Sequence, residues 1–203
     1  MEEVAADRSE IPGRDVEERK GQRTRRRILS AAREVFGGLG YEGASIRAIA
    51  AAAEVDKSSV IQYFGTKEQL FREAVAWSIP LERVLVEDPD QTADNMARGM
   101  FAAWAAEPHS PMTVLLRASM TSDVAAQVLR TNVVAQAVDS IAERIDAPDA
   151  RLRAALASAI LLGVASQRYI LQMTDLSDAD TEDVIRLVTP LVRELIAPAP
   201  LES

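Results

Sequence analysis

The sequence predicts an all-α protein. Apolar residues recur at intervals of three and four along most of its 203 residues, and no segment shows the strict alternation that a half-buried strand requires. Breaks rich in Gly and Pro divide these amphipathic stretches into about nine helices. A hydrophobic content of 48% and a charged content of 27% are typical of a soluble globular protein.

The chain begins with a segment that lacks an apolar period. Residues 1–21 are rich in charge, and we expect a disordered acidic tail there. The first helix is predicted from about Gln22, and it ends at three clustered glycines with a left-handed cap. A nucleotide-binding loop at these glycines is disfavoured, because no strand precedes them and no Lys-Ser/Thr pair follows. The apolar face of this helix consists of Ile28, Ala31, Ala32, Val35, Phe36 and Leu39.

Three short helices are predicted between residues 45 and 75. Ser45 and Asp56 are good N-caps for the second and third helices. Thr66 with Gln69 three residues later forms a capping box for the fourth. The second and third helices are joined by about three residues, which is the layout of a helix-turn-helix.

The remaining helices are predicted from the same period. Pro190 lies inside the last of them and predicts a kink or a helix that begins late. These five segments are residues 91–106, 111–120, 122–145, 149–173 and 178–197.

The net charge of −8 hides a basic block. Residues 20–70 contain nine basic and five acidic residues, a local charge of +4, and the run 23-RTRRR-27 lies within it. An acidic chain of this kind does not bind polyanions over its whole surface, but one basic face can. The alternative for the basic run is an ordinary solvated start of a helix.

The third predicted helix carries polar side chains on the side away from Val60 and Phe64. Gln and Ser suit the edges of bases in the major groove, and Lys suits phosphate or guanine. Helix N-termini also favour phosphate, because they present free N–H groups. For Tyr63 we keep a second interpretation, a ring packed against the fourth helix. The candidate DNA-contacting residues are Arg26, Ser45, Arg47, Lys57, Ser58, Ser59, Gln62, Tyr63 and Lys67.

The segment 26-RRILSAAREVFGGLGYEGASIRAIAAAAEVDKSSVIQYFGTKEQLF-71 resembles the N-terminal domain of TetR-type transcriptional regulators. The resemblance implies a DNA-binding domain over residues 22–82, with its helix-turn-helix at residues 45–64. It also implies a helical effector-binding and dimerisation domain over residues 83–203. Three features depart from the family pattern. The recognition helix has Ser59-Val60-Ile61 where the family usually has Gly or Ala followed by Leu-Tyr. Glu54 stands where the turn usually has glycine, and Ile61 replaces the aromatic residue that usually contacts phosphate.

The last two long helices are the predicted dimer interface, because family members bind near-palindromic operators as two-fold dimers. Small residues on one helix allow close approach, and a wide apolar stripe marks the other. The alternative is that both stripes face the protein's own core. The predicted interface residues are Ala155, Ala159, Gly163, Ser166, Val184, Leu187, Val188, Leu191, Val192 and Leu195.

Family members enclose an effector among their middle helices, and here Met and Trp offer adaptable apolar surface. Each of these residues could equally be core. Arg168 would favour an acidic effector if turned inward, and a surface position or a salt bridge is the alternative. The sole histidine, His109, is predicted in an exposed loop flanked by prolines. The candidate effector-binding residues are Met100, Phe101, Trp104, Met112, Leu115, Leu116, Met120, Val124, Val128 and Gln167.

The predicted function is that of a one-component repressor, released from a palindromic operator when a small, mostly apolar effector binds. The alternative is a helical dimerisation module that binds protein without sequence-specific DNA binding. An enzyme is disfavoured, because the chain has no Cys, one His and carboxylates scattered along polar faces. No cofactor, metal or membrane partner is expected. Without a secretory signal or an apolar run long enough for a bilayer, we expect a cytoplasmic protein.

Overall fold

The computed structural model describes residues 12–76, 80–105, 110–131 and 135–197, and within these ranges the chain is helical and contains no strand. The all-α prediction is therefore confirmed. A π-helical turn at Ser166–Ile170 extends α10. The α-helices are α1 Pro12–Gly43, α2 Ile46–Ala52, α3 Lys57–Phe64, α4 Lys67–Ala74, α5 Leu81–Val84, α6 Pro89–Ala105, α7 Pro111–Ser119, α8 Asp123–Leu129, α9 Ala135–Ala142, α10 Ala150–Ala165, α11 Thr174–Ser177 and α12 Thr181–Ile196.

The described residues form twelve α-helices, more than the nine or so predicted, because a periodicity argument does not detect short elements. The single-turn helices α5 and α11 are too brief to show an apolar period. The segment predicted as one helix at residues 122–145 forms α8 and α9, and residues 132–134 between them lie outside the described ranges. None of the described helices is long and apolar enough to cross a bilayer.

Helix α1 starts earlier than predicted. It begins at Pro12, so residues 12–21, expected in a disordered tail, are helical, whereas residues 1–11 lie outside the described part of the chain. Proline favours the first turn of a helix, and the Glu, Arg and Lys residues that follow have high helix propensity. At the other end the helix is interrupted at Gly40, whose φ of 71° and ψ of 171° only glycine adopts readily.

The first hydrophobic core joins α1–α4 to α7 and α8. Phe36 and Phe71 are fully buried, and with Tyr41 they form a cluster whose ring centroids lie 4.9–5.9 Å apart. Val60 and Phe64 anchor α3 in this core. Leu115 and Val128 enter the same core from α7 and α8, so the N-terminal helices rest on the C-terminal ones.

The second core lies among α6, α7, α9, α10 and α12. Two ion pairs join α6 to α12: Arg98 donates to Glu182 at 2.7 Å, and Arg193 donates to Asp90 at 2.9 Å. The hydrogen bond from Arg98 lowers the pKa of Glu182 below its usual value. Helix α12 begins at Thr181 and continues through the exposed Pro190, so a start after this proline is wrong.

Candidate nucleic-acid interface, cavity and apolar seam

The helix-turn-helix is built by local capping and by the anchoring of α3. The Ser45 hydroxyl accepts a hydrogen bond from the Ala48 amide at 3.1 Å, as predicted. Thr66 and Gln69 form the predicted capping box at the start of α4. Asp56 occupies the N-cap position of α3, but its side chain makes no capping hydrogen bond. The Asp56 carboxylate is exposed.

The outer face of α3 is polar and exposed. Lys57, Ser58 and Gln62 are exposed, and Ser59 is half-buried. Because Val60 and Phe64 fix the inner face, these four side chains lie on the side that a groove of DNA could accept. Tyr63 is partly exposed, and its hydroxyl lies beside Gly21 of α1. We therefore place the Tyr63 hydroxyl against the middle of the first half of α1, at Gly21.

The basic residues near this face fall into two groups. Arg25 pairs with Glu73 and lies over the Phe64 ring, with 5.1 Å between its guanidinium carbon and the ring centroid. Arg33 donates to the Ala74 carbonyl at 2.8 Å. Both arginines therefore hold α1 against α4, and Arg25 also contacts α3. Within the described ranges, a second group makes no ion pair and no side-chain hydrogen bond, and its members are exposed: Lys20, Arg23, Arg26, Arg27, Arg47 and Lys57.

Lys67 has contacts of its own within the protein. Its ammonium lies 4.5 Å from the centroid of the Tyr41 ring and donates to the Glu42 carbonyl at 3.4 Å. Burial is the main cause that raises the pKa of Tyr41, and the nearby carboxylates of Glu68 and Glu42 add to it. The contacts of Lys67 with Tyr41 and Glu42 join α4 to α1. Because the hydrogen bond from its ammonium to the Glu42 carbonyl is long, this ammonium can still bind a second partner.

The turn between α2 and α3 places Glu54 in the left-handed region, with φ of 51°. A glycine would adopt this conformation without the steric cost that a β-carbon brings. Among the described residues no ion pair joins Glu54 to Arg47. The exposed Glu54 carboxylate therefore makes no ion pair within the described part of the chain and places a negative charge at the turn before α3.

A cavity of about 190 Å³ opens among α5, α6, α9 and α10. Among the described residues that line it none is charged, and the one hydroxyl belongs to Ser158, which donates to the Ala154 carbonyl at 2.9 Å. Such a bond leaves the lone pairs of the Ser158 oxygen free to accept. The lining residues are Pro80, Leu81, Val84, Leu85, Met96, Gly99, Met100, Ala103, Ala137, Ile141, Ser158 and Leu161.

Of the candidate effector residues, Met100 lines this cavity and the others lie elsewhere. Phe101, Trp104, Met112 and Leu116 are buried in the second core. Leu115, Val124 and Val128 pack in or against the first core. Met120 and Gln167 are exposed. The sequence could not identify the cavity, because its walls come from two pairs of helices, α5 with α6 and α9 with α10, that lie far apart in the chain.

Arg168, also considered for an acidic effector, instead holds the segment around α11. It donates to the carbonyls of Leu176 and Ala179 and to the Thr181 hydroxyl. His109 lies outside the described residues.

An exposed apolar seam runs along α10 and α12. Its large members are Leu152, Leu156, Leu187 and Leu191, all exposed. Among the small residues predicted beside them, Ala159 is exposed, Gly163, Ala155 and Ser166 are half-buried, and a β-carbon added at Gly163 would meet no atom within 4 Å. Val184, Val188 and Val192 of the predicted interface are instead buried in the second core, and Leu195 is half-buried.

Sequence families match both halves of the chain. Residues 28–74 match the family of bacterial regulatory proteins called the tetR family. Residues 90–196 match the family described as the tetracyclin repressor-like C-terminal domain. A comparison with curated protein sequences found no match.

Solved structures of the same architecture include three from different bacteria. A TetR-family regulator from Streptomyces coelicolor is 28% identical, with a TM-score of 0.56 over 86% of this chain and 95% of the other. NalD, the secondary repressor of a multidrug efflux pump in Pseudomonas aeruginosa, is 21% identical, with a TM-score of 0.64 over 85% and 96%. The fatty acid degradation regulator FadR from Bacillus halodurans is 16% identical, with a TM-score of 0.60 over 82% and 96%. The last two likenesses concern the fold alone.

Proposed function

Since the chain belongs to the TetR family of bacterial regulatory proteins, we propose that it is a cytoplasmic repressor that leaves a palindromic operator when a small, uncharged effector binds. Its place in that family makes it a ligand-responsive, DNA-binding regulator. The observation that carries the finer proposal is the surface around α3. Exposed hydrogen-bonding side chains lie there beside six cations that have no acidic partner in the described chain.

Readout of the operator is assigned to α3. Gln62 and Ser58 lie one helical turn apart on its exposed face, where they can reach the edges of bases. Arg26 and Arg47, on neighbouring helices, have no acidic partner among the described residues, so they are available to phosphates on either side of the groove. Lys57, at the first turn of α3, combines its charge with the free N–H groups of the helix end.

Dimerisation is assigned to the apolar seam of Leu152, Leu156, Leu187 and Leu191. A two-fold axis between α10 and α12 of two protomers would bury each leucine against its partner's seam. Gly163 and Ala159 would let the two α10 helices approach closely. A dimer doubles the number of bases read, which a single helix-turn-helix needs for specificity in a genome.

We assign the effector to the cavity among α5, α6, α9 and α10. Its volume of about 190 Å³ suits a molecule the size of a single aromatic ring, since a dry protein cavity of about 150 Å³ holds benzene. A charged effector would lose its hydration without gaining a counter-charge from the described walls of the cavity, which carry no ionised side chain. The free lone pairs of Ser158 favour an effector with one hydroxyl or N–H donor.

Coupling between the cavity and α3 would pass through α7. Helix α6, which carries Met100 in the cavity wall, packs against α7, and α7 packs against α1. Val114 and Leu115 of α7 lie in the first core, whereas Met112 and Leu116 lie in the second. An effector that displaces α6 would therefore shift helices α1–α4 of each protomer and alter the separation of the two α3 helices in the dimer.

Activity as an enzyme is not part of this proposal, since the family is one of transcriptional regulators. A protein-binding module without DNA recognition is also less favoured, because it gives no role to the unpaired cations around α3.

The proposal is tested with duplex DNA that flanks the protein's own coding region. We expect Lys57→Ala to weaken binding to all sequences and to reduce its salt dependence, because a phosphate contact is lost. Gln62→Ala should instead lower affinity about 5- to 150-fold for the specific duplex alone, which corresponds to about 1–3 kcal/mol. Equal binding of flanking and random DNA by the unaltered protein at moderate salt would refute the proposal.

A further inference from the structure

Ile61 is an apolar residue on the polar outer face of α3. It is 46% exposed, although Val60 beside it is fully buried. Lys57 and Ser58 lie four and three residues earlier, so they share its helix face, and Gln62 is adjacent. Val60 and Phe64 hold α3 in the first core, and Ile61 is not among the described residues that pack in or against that core.

An isoleucine can bind only apolar surface, since it has no hydrogen-bond donor or acceptor. In the major groove the apolar feature that distinguishes one base pair from another is the 5-methyl group of thymine. We propose that Ile61 is a specificity-determining residue that packs against a thymine methyl group in each half-site of the operator. This inference rests on the proposed function, and in particular on the insertion of α3 into the major groove.

The side chain is suited to such a contact. A β-branched residue in a helix has one strongly preferred χ1 rotamer, so Ile61 loses little freedom when DNA covers it. Its neighbours Ser58 and Gln62 can form hydrogen bonds with base edges, and Lys57 can contact phosphate or guanine. Ile61 would therefore add discrimination between thymine and cytosine, which differ in this methyl group and in the polar group at the adjacent ring position.

The test removes the methyl group from the DNA. Deoxyuridine replaces thymine at one position at a time in the shortest duplex that the protein binds specifically, and it keeps all the hydrogen-bonding groups of thymine. We expect one position in each half-site at which uracil weakens binding of the unaltered protein about fourfold, the effect of burying one methyl group. Replacing both symmetry-related thymines should weaken binding about 16-fold.

Two variants separate Ile61 from its neighbours. Ile61→Ala should bind the thymine and uracil duplexes equally, whereas Gln62→Ala, although weaker overall, should keep the fourfold difference. Because Ile61 is exposed, we expect the midpoint of thermal unfolding to stay unchanged in Ile61→Ala, so reduced binding would not reflect a loss of folding.

Several results would overturn the inference. These are equal binding of every uracil duplex by the unaltered protein, an undiminished uracil effect in Ile61→Ala, or a specific duplex without thymine in its half-sites. If the protein prefers no duplex over random DNA, the proposed function fails together with this inference. A failure confined to the uracil comparison removes only the role of Ile61.

Discussion

Truncation of Leu187 should weaken the dimer. This side chain of the apolar seam is 64% exposed, and complete burial of a leucine stabilises by about 1.5–3 kcal/mol. Covering the exposed part would therefore contribute about 1–2 kcal/mol per protomer, or about 2–4 kcal/mol per two-fold dimer. Alanine keeps the β-carbon, about a quarter of the side chain, so Leu187→Ala should cost about 1.5–3 kcal/mol per dimer and raise the dissociation constant about 10- to 150-fold.

Sedimentation equilibrium over a range of protein concentrations measures this constant. Leu39→Ala is the matched control, because Leu39 is 60% exposed but lies on α1, away from the seam. A dissociation constant that changes less than threefold in Leu187→Ala would refute the assignment of α10 and α12 as the interface. An equal weakening in Leu39→Ala would refute the claim that the effect is local to the seam.

Three further predictions concern the turn, the α11 segment and the cavity. Glu54→Gly should raise the free energy of unfolding, measured in urea titrations, by about 1 kcal/mol, because glycine relieves the left-handed backbone strain. The same substitution removes a negative charge, so it should also tighten non-specific DNA binding. Arg168→Met should lower the free energy of unfolding by about 1.5–3 kcal/mol, because it deletes part-buried hydrogen bonds from a charged group. The control Arg186→Met loses one exposed ion pair and should change this free energy by less than about 1 kcal/mol. Phenol, a single aromatic ring with one hydroxyl, should raise the midpoint of thermal unfolding of the unaltered protein by binding in the cavity. Ala103→Leu should fill the cavity and abolish this rise, whereas Ala102→Leu, on the exposed side of α6, should retain it.

Local features of the N-terminal half were predictable from the sequence. The caps formed by Ser45 and Thr66 involve residues only three positions apart, so the sequence contains the whole interaction. The inner face of α3 was predictable for the same reason, because Val60 and Phe64 are one helical turn apart. The partner of Arg25 was not, since Glu73 lies 48 residues away and only the packing of α1 against α4 brings the two together.

A periodicity argument does not determine which face of α12 is buried in the protomer. Its apolar residues span two adjacent faces, and the sequence alone assigned both to the dimer interface. In the structure Val184, Val188 and Val192 fill the protomer core, which leaves Leu187 and Leu191 exposed. Spacing shows that a stripe is wide, but the position of α6 and α10 decides which edge of it is buried.

Selection of bound sequences from random DNA tests the central claim most directly. If two α3 helices of a dimer read the operator, the enriched duplexes should contain two inverted half-sites whose centres lie about one helical turn, or a multiple of it, apart. Ile61 and Gln62 should then determine which bases recur in each half. Enrichment of no sequence, or of a single half-site without symmetry, would contradict the claim.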